Sequence, residues 1–171
     1  SIDYERALKE ARLDVLKLKD YDYKLRSVLK QNFKGKRLGV IASSLPLSIA
    51  KALRGYRLVD VSKIASGIRA VKNKKEIKLI KKSCSIANKG IRYVESSLSL
   101  GEREAEFVKR LEDYLKKFNI EGFAFDTIFA SGKRSALIHP YPARSKKKIS
   151  KGLGLIDFGV VYKGYCSDVT I

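Results

Sequence analysis

Between Ile77 and Val94 the apolar positions alternate spacings of three and four. Ile77, Ile80, Cys84, Ala87, Ile91 and Val94 therefore share one face of a predicted helix. Asn73 precedes the run and Glu76 stands three residues later, the arrangement of an N-cap and its reciprocal capping-box acid. A second helix is predicted from Glu102 to Phe118, with Ala105, Val108, Leu111, Leu115 and Phe118 inward. The period then shortens to two. Phe123, Phe125, Thr127 and Phe129 alternate along a predicted strand and fall on one side of it. Two short apolar runs, Leu153 to Ile156 and Val160 to Tyr162, flank Asp157 and read as a hairpin-like strand pair with Lys163-Gly164 near the turn.

The first sixty or so residues carry a different pattern. Tyr4, Ala7, Leu8, Ala11, Val15 and Leu18 form a helical stripe. Arg37 to Ala42 is a short strand, and Ser43-Ser44-Leu45-Pro46 favours a helix start. Ile49, Ala50 and Leu53 continue that helix, Gly55 stops it, and Tyr56 to Val61 is another strand. Ser62 to Arg69 carries the chain into a second domain. The division expected is residues 1–65, the end of a small α/β domain, followed by residues 66–171. No internal repeat or low-complexity segment interrupts either part.

Composition narrows the classes. An apolar content of 44% is enough for a core, and 32% charged residues is ordinary for a soluble chain. No apolar run approaches the roughly 18–20 residues that span a bilayer, so no membrane is expected. Cys84 and Cys166 lie far apart without metal-ligand spacing and read as reduced core thiols of a cytoplasmic protein. The net charge of +19 attracts polyanions. Yet the lysines are scattered, and the runs Lys72 to Lys75 and Arg144 to Lys151 have no base-stacking aromatics between them. A solvated basic surface explains them better than nucleic acid does.

The candidate chemistry lies near Asp157 and Asp168. An aspartate within an apolar strand is costly to bury unless something pairs with it. Two carboxylates aimed at one spot from paired strands repel unless a cation lies between them, and hard oxygen ligands suit a divalent ion. Asp is also common in turns and at strand ends, where it bonds local amides. His139 is the only histidine, set in an extended, turn-rich His-Pro-Tyr-Pro loop.

Residues 68–171 resemble the first half of the catalytic domain of the metallopeptidases that include Xaa-Pro aminopeptidase, prolidase and methionine aminopeptidase. The resemblance runs in order through Arg69-Ala70-Val71-Lys72-Asn73-Lys74-Lys75-Glu76-Ile77, Gly101-Glu102-Arg103-Glu104, Ala130-Ser131-Gly132 to His139-Pro140, Ile156-Asp157-Phe158-Gly159 and Gly164-Tyr165-Cys166-Ser167-Asp168-Val169-Thr170. It implies an α/β fold of the α+β kind: the end of a creatinase-like N-terminal domain, then the first half of a pita-bread catalytic domain. It also implies a site of two divalent ions, Mn2+ or Co2+ with Zn2+ as a substitute, held by two aspartates, a histidine and two glutamates. Asp157 and Asp168 match the aspartates, one chelating and one bridging. The remaining ligands and the general base would follow Ile171, and the chain, which opens at Ser1 without a Met, reads as the central piece of a longer polypeptide. His139 matches the histidine that lines the substrate pocket, with Ser131-Gly132 leading tightly into its loop. The activity implied is hydrolysis of the peptide bond before proline, by a homodimer acting on proline-containing peptides.

The sequence departs from the resemblance at three places. Arg103 replaces the usual Thr or Ser, which weakens the cap of its helix. Leu153-Gly154 follows Gly152 where an acid is common, and Ile171 replaces an arginine after Asp168-Val169-Thr170, removing support from the metal's surroundings. The alternative reading is a non-catalytic pita-bread module that binds nucleic acid or histones.

Overall fold

The computed structural model describes residues 24–171 continuously, preceded by residues 5, 7–9, 11, 15–17 and 20. The chain divides into two compact units, Ser1–Val71 and Lys72–Ile171. Of the predicted N-terminal stripe, residues 5 and 7–9 are helical and 15–17 are not, while Tyr4 and Leu18 lie outside the described residues.

The first unit holds helix α1 (Leu25–Asn32), strand β1 (Arg37–Val40), helix α2 (Leu47–Ala52), strand β2 (Arg57–Asp60) and helix α3 (Ser62–Ala70). β1 and β2 are parallel, with Arg37 opposite Arg57 and Val40 opposite Asp60. Parallel neighbours need a crossover, which α2 supplies. Pro46 caps α2 with φ −62°, and Gly55, at φ 99°, turns the chain back toward β2. α3 corrects the expectation of a connecting segment. Ile64, Ala65 and Ile68 repeat at helical spacing, but over too short a run to outweigh the absence of a capping side chain.

The second unit begins with α4 (Lys74–Ser97) and α5 (Glu104–Lys116), followed by strands β3 (Gly122–Phe123), β4 (Ile128–Ser131), β5 (Gly154–Phe158), β6 (Val160–Tyr162), β7 (Tyr165–Cys166) and β8 (Val169–Thr170). Asn73 accepts from the Lys75 and Glu76 amides while Glu76 accepts from the Asn73 amide, completing the capping box. The predicted turn is present, but the expected pair is corrected. The runs of β5 and β6 do not pair with each other, because Gly159 only interrupts one extended stretch; β5 pairs with β8 while β6 pairs with β7. Lys163 and Gly164, at φ 48° and 78°, join β6 to β7, with Tyr162 opposite Tyr165. That primed turn matches the twist of its strands.

The buried face of α4 is Ser83, Ile86, Ala87, Gly90 and Val94, rotated from the predicted stripe. Ile77 is 42% exposed, and Cys84 and Cys166 are exposed free thiols rather than core ones. Close approach to the sheet decides this. Ser83 Oγ donates to the Val160 carbonyl at 2.9 Å, and a Cβ on Gly90 would lie 2.7 Å from the Phe158 ring. Small residues let the helix backbone approach β5 and β6, and hydrophobicity alone does not reveal them. On α5 the buried residues are Glu104, Phe107, Val108, Leu111 and Leu115, with Ala105 and Phe118 only partly covered. Phe107, Phe129, Phe158 and Val160 complete a core between the helices and the two three-stranded sheets, β3-β6-β7 and β4-β5-β8.

Arg103 caps α5 without a side-chain hydrogen bond. Carbonyls from a distant loop take over. The Glu104 and Ala105 amides donate to Lys147 and Ser145 at 3.0 Å each, and Gly101 donates to Ile149 at 2.9 Å. The orphan donors of the helix end are thus satisfied by tertiary contacts.

Candidate functional site

The predicted strand from Phe123 to Phe129 is broken. Phe123 pairs with Val160 and Ile128 with Asp157, so residues 124–127 on one strand face only 158 and 159 on the other. This bulge bends the ribbon and re-aims its side chains. Phe129 remains in the core, while Phe125 and Asp126 turn into a cleft on the opposite face.

Across the ribbon, β5 and β8 place Asp157 opposite Thr170 and Phe158 opposite Val169. Ile156 and Ile171 exchange both backbone hydrogen bonds, at 2.9 and 3.0 Å, so Asp157 sits in the adjoining non-hydrogen-bonded pair, where strands come closest. Asp168 lies two residues before Thr170 and shares its face. Asp157 and Asp168 are therefore diagonal neighbours. Between them the strands are pinched at Gly159, where a Cβ would collide with the Ser167 carbonyl oxygen. Ser167 Oγ accepts from the Val160 amide at 3.1 Å, where an ordinary ladder would use the backbone carbonyl.

Both aspartates line a cleft of about 790 Å3, together with His139 and Asp126. Its walls are largely apolar, from Phe125, Ile128, Pro140, Tyr141 and Pro142, and Arg144 closes one side while donating to Glu112 at 3.1 Å. Asp157 Oδ1 is buried without a hydrogen-bond partner, one of three such side-chain atoms among the described residues. An orphaned carboxylate oxygen in a cleft that a second aspartate also lines fits a hard divalent cation, which would supply the missing partner. Among the described residues no three of His, Cys, Asp or Glu converge where one ion could be held.

His139 is exposed on the loop that follows β4. The loop starts at Ser131-Gly132, with Gly132 at φ 56°, and passes through a 3-10 turn, Gly132–Ala136. It returns so that Ala143 accepts from the Phe129 amide at 2.9 Å.

Glu104, named in the sequence only as part of the Gly101-Glu102-Arg103-Glu104 stretch and with no role of its own, anchors the start and end of this segment. Fully buried, it accepts at Oε1 from the Ser131 amide and hydroxyl, both at 2.9 Å, and at Oε2 from the Ser145 hydroxyl at 2.6 Å and its amide at 3.2 Å. Burial alone would raise its carboxyl, but the hydrogen bonds from Ser145 and Ser131, with the Arg134 charge, hold it below the ordinary 4.5. Arg134 Nε lies 3.5 Å from Glu104 Oε2, an ion pair without hydrogen-bond geometry. Asp126, Glu104 and Arg134 carry one faint signal each in the sequence: an acid on the opposite side of an aromatic alternation, an acid at a helix start, and a cation beside serines in a turn.

Residues 78–171 match the profile of metallopeptidase family M24. The chain is 34% identical over 170 residues to a Xaa-Pro dipeptidase of Pyrococcus furiosus and 36% identical over 176 residues to that of Pyrococcus horikoshii, covering 99% of this chain and 48% of each relative. Among solved structures it superposes on the prolidase from Pyrococcus furiosus with a TM-score of 0.87 at 33% identity, covering 99% of this chain and 52% of that one. For the X-Pro aminopeptidase from Thermotoga maritima the values are 0.83 and 30%, covering 99% and 48%. The chain spans about half the length of the curated relatives it matches. Its mixed helix-and-strand architecture is that of these pita-bread neighbours over the shared half.

Proposed function

Because the chain belongs to metallopeptidase family M24, we propose that the protein containing it cleaves the peptide bond before proline, as an Xaa-Pro dipeptidase or aminopeptidase. The observation that carries this reading is the diagonal pair Asp157 and Asp168 with its orphaned oxygen, in one cleft with His139. The two carboxylates would hold divalent ions, Mn2+ or Co2+ with Zn2+ as a substitute, and ions held there would supply Lewis acidity and a water of lowered pKa. Asp157 and Asp168 would be this chain's contribution to holding them. His139, free of hydrogen-bond partners among the described residues, would donate to the scissile peptide. The apolar wall of Ile128, Pro140 and Tyr141 would keep water from the bound proline ring. On this reading residues 66–171 form the first half of the catalytic domain and residues 1–65 part of an N-terminal one, in a homodimeric, cytoplasmic protein. The 171-residue chain, with two of the family's metal ligands, would not turn over alone.

The test is proline release from an Xaa-Pro dipeptide and from a longer Xaa-Pro peptide by the whole protein, with Mn2+ and after chelation. Asp157→Ala and Asp168→Ala are expected to abolish metal-dependent turnover, and His139→Ala to lower kcat by about 10²–10³-fold. Retained cleavage in either aspartate variant would overturn the reading.

A second reading, polyanion binding without catalysis, is favoured by one feature. Lys75, Lys78, Lys81, Lys82 and Lys163 border a groove of about 770 Å3 floored by Leu79 and Tyr162. Salt-sensitive association with nucleic acid, without turnover in the whole protein, would select it.

A further inference from the structure

The segment carrying His139 is held by little apolar burial. Leu137, Ile138 and Tyr141 are 54%, 84% and 95% exposed, and of its residues 137–142 only Pro140 is buried. A loop without apolar packing keeps one conformation only through polar ties. One side chain supplies most of them. Arg134 Nη2 donates to the Pro142 carbonyl at 2.6 Å and Nη1 to the Tyr141 carbonyl at a longer 3.4 Å, while the Leu137 amide donates to the Arg134 carbonyl at 3.1 Å. Arg134 thus closes the loop from both backbone and side chain, with His139 between the tied ends. Its own side chain is only 13% exposed, and its Nε faces the fully buried Glu104 carboxylate.

We infer that Arg134, oriented by Glu104, is the positioning residue for His139, so that the histidine's placement over Asp157 and Asp168 is set by a guanidinium bridge. The inference rests on the proposed peptidase reading for its consequence, but its geometry does not depend on it. A planar guanidinium can engage a carboxylate on one edge and two carbonyls on the other, whereas a lysine ammonium is a single point charge that cannot span them. The aspartates are held separately, by the β5–β8 ladder, so cation binding and histidine placement are separable.

The experiment compares the whole protein with its Arg134→Ala and Arg134→Lys variants by three readouts. The first is the NMR signals of the His139 imidazole and the residue 137–143 amides. In both variants these signals are expected to shift or broaden, while the amides of residues 156–158 and 168–170 stay in place. The second is Mn2+ affinity, expected to stay within about two-fold. The third is proline release from an Xaa-Pro dipeptide, where the loss falls in kcat and is on the order of 10²-fold for Arg134→Ala, the scale of misplacing a reacting group. Added guanidinium, against an equal concentration of sodium chloride, is expected to restore part of the Arg134→Ala loss, which a merely structural defect would not show. His139 signals that coincide with wild type in Arg134→Lys would overturn the inference even if Arg134→Ala fails to fold. Absence of turnover in the wild-type protein would instead overturn the peptidase reading and leave the NMR comparison decisive for the bridge.

Discussion

Glu104 is an acid with no solvent contact that still favours its charged form. Desolvation opposes ionisation, and the hydrogen bonds from Ser145 and Ser131, with the Arg134 charge, outweigh it. The sign of the pH dependence follows. A carboxyl whose folded pKa lies below its unfolded value adds stability above about pH 4.5 and loses that contribution as pH falls through the folded value. Glu104→Gln keeps the shape and removes the charge. The stability gap between wild type and this variant is therefore expected to narrow on acidification from about pH 6 to about pH 3, measured by urea unfolding at each pH. A constant gap would mean the carboxylate is not what the serines stabilise.

At the scale of elements, the contact between α4 and the strands rests on small residues more than on large ones. Gly90 lies against the Phe158 ring, with Leu115 Cδ2 3.2 Å from the position of an added Cβ. Gly90→Ala would overpack this seam at a cost of about 1–3 kcal/mol, while better helix propensity returns at most about 1 kcal/mol. A net loss of about 1–2 kcal/mol is expected, read as a lower urea midpoint with an unchanged slope. A gain in stability would show that the helix can slide away from β5 without penalty. The sheet is likewise shaped by its irregularities. The bulge at residues 124–127 and the pinch at Gly159 fall beside the two aspartates, where a regular ladder would leave no cleft.

At the scale of the whole chain, the net charge stands out. The +19 carried by these 171 residues favours attraction to polyanions at low salt. Binding to a random-sequence DNA duplex is expected to weaken by about 10³-fold or more between 50 and 200 mM salt if six or more phosphates are contacted, without sequence preference. Salt titration with two unrelated duplexes measures this, and a salt-resistant, sequence-selective complex would contradict a merely solvated surface. Among the described residues no helix is long and apolar enough to cross a membrane.

Local features were legible because their causes are local. The capping box at Asn73, the α4 and α5 periods and the Lys163-Gly164 turn each depend on residues a few positions apart. The eleven-residue step from Asp157 to Asp168 across a tight hairpin likewise carried the carboxylate pair, since a two-residue turn sets the register of everything beyond it. Tertiary structure decided the rest. Glu104 meets Ser131 and Ser145 at separations of 27 and 41 residues, and no pattern in the chain marks serines so distant as its partners. Which face of α4 is buried, and so whether Cys84 lies in the core, depended on how closely a helix of small residues approaches Phe158. The place of His139 depended on an arginine reaching back across a loop that hydrophobic burial scarcely constrains. Periodicity reports which residues avoid water, whereas the directions of buried polar groups are set only when distant segments meet.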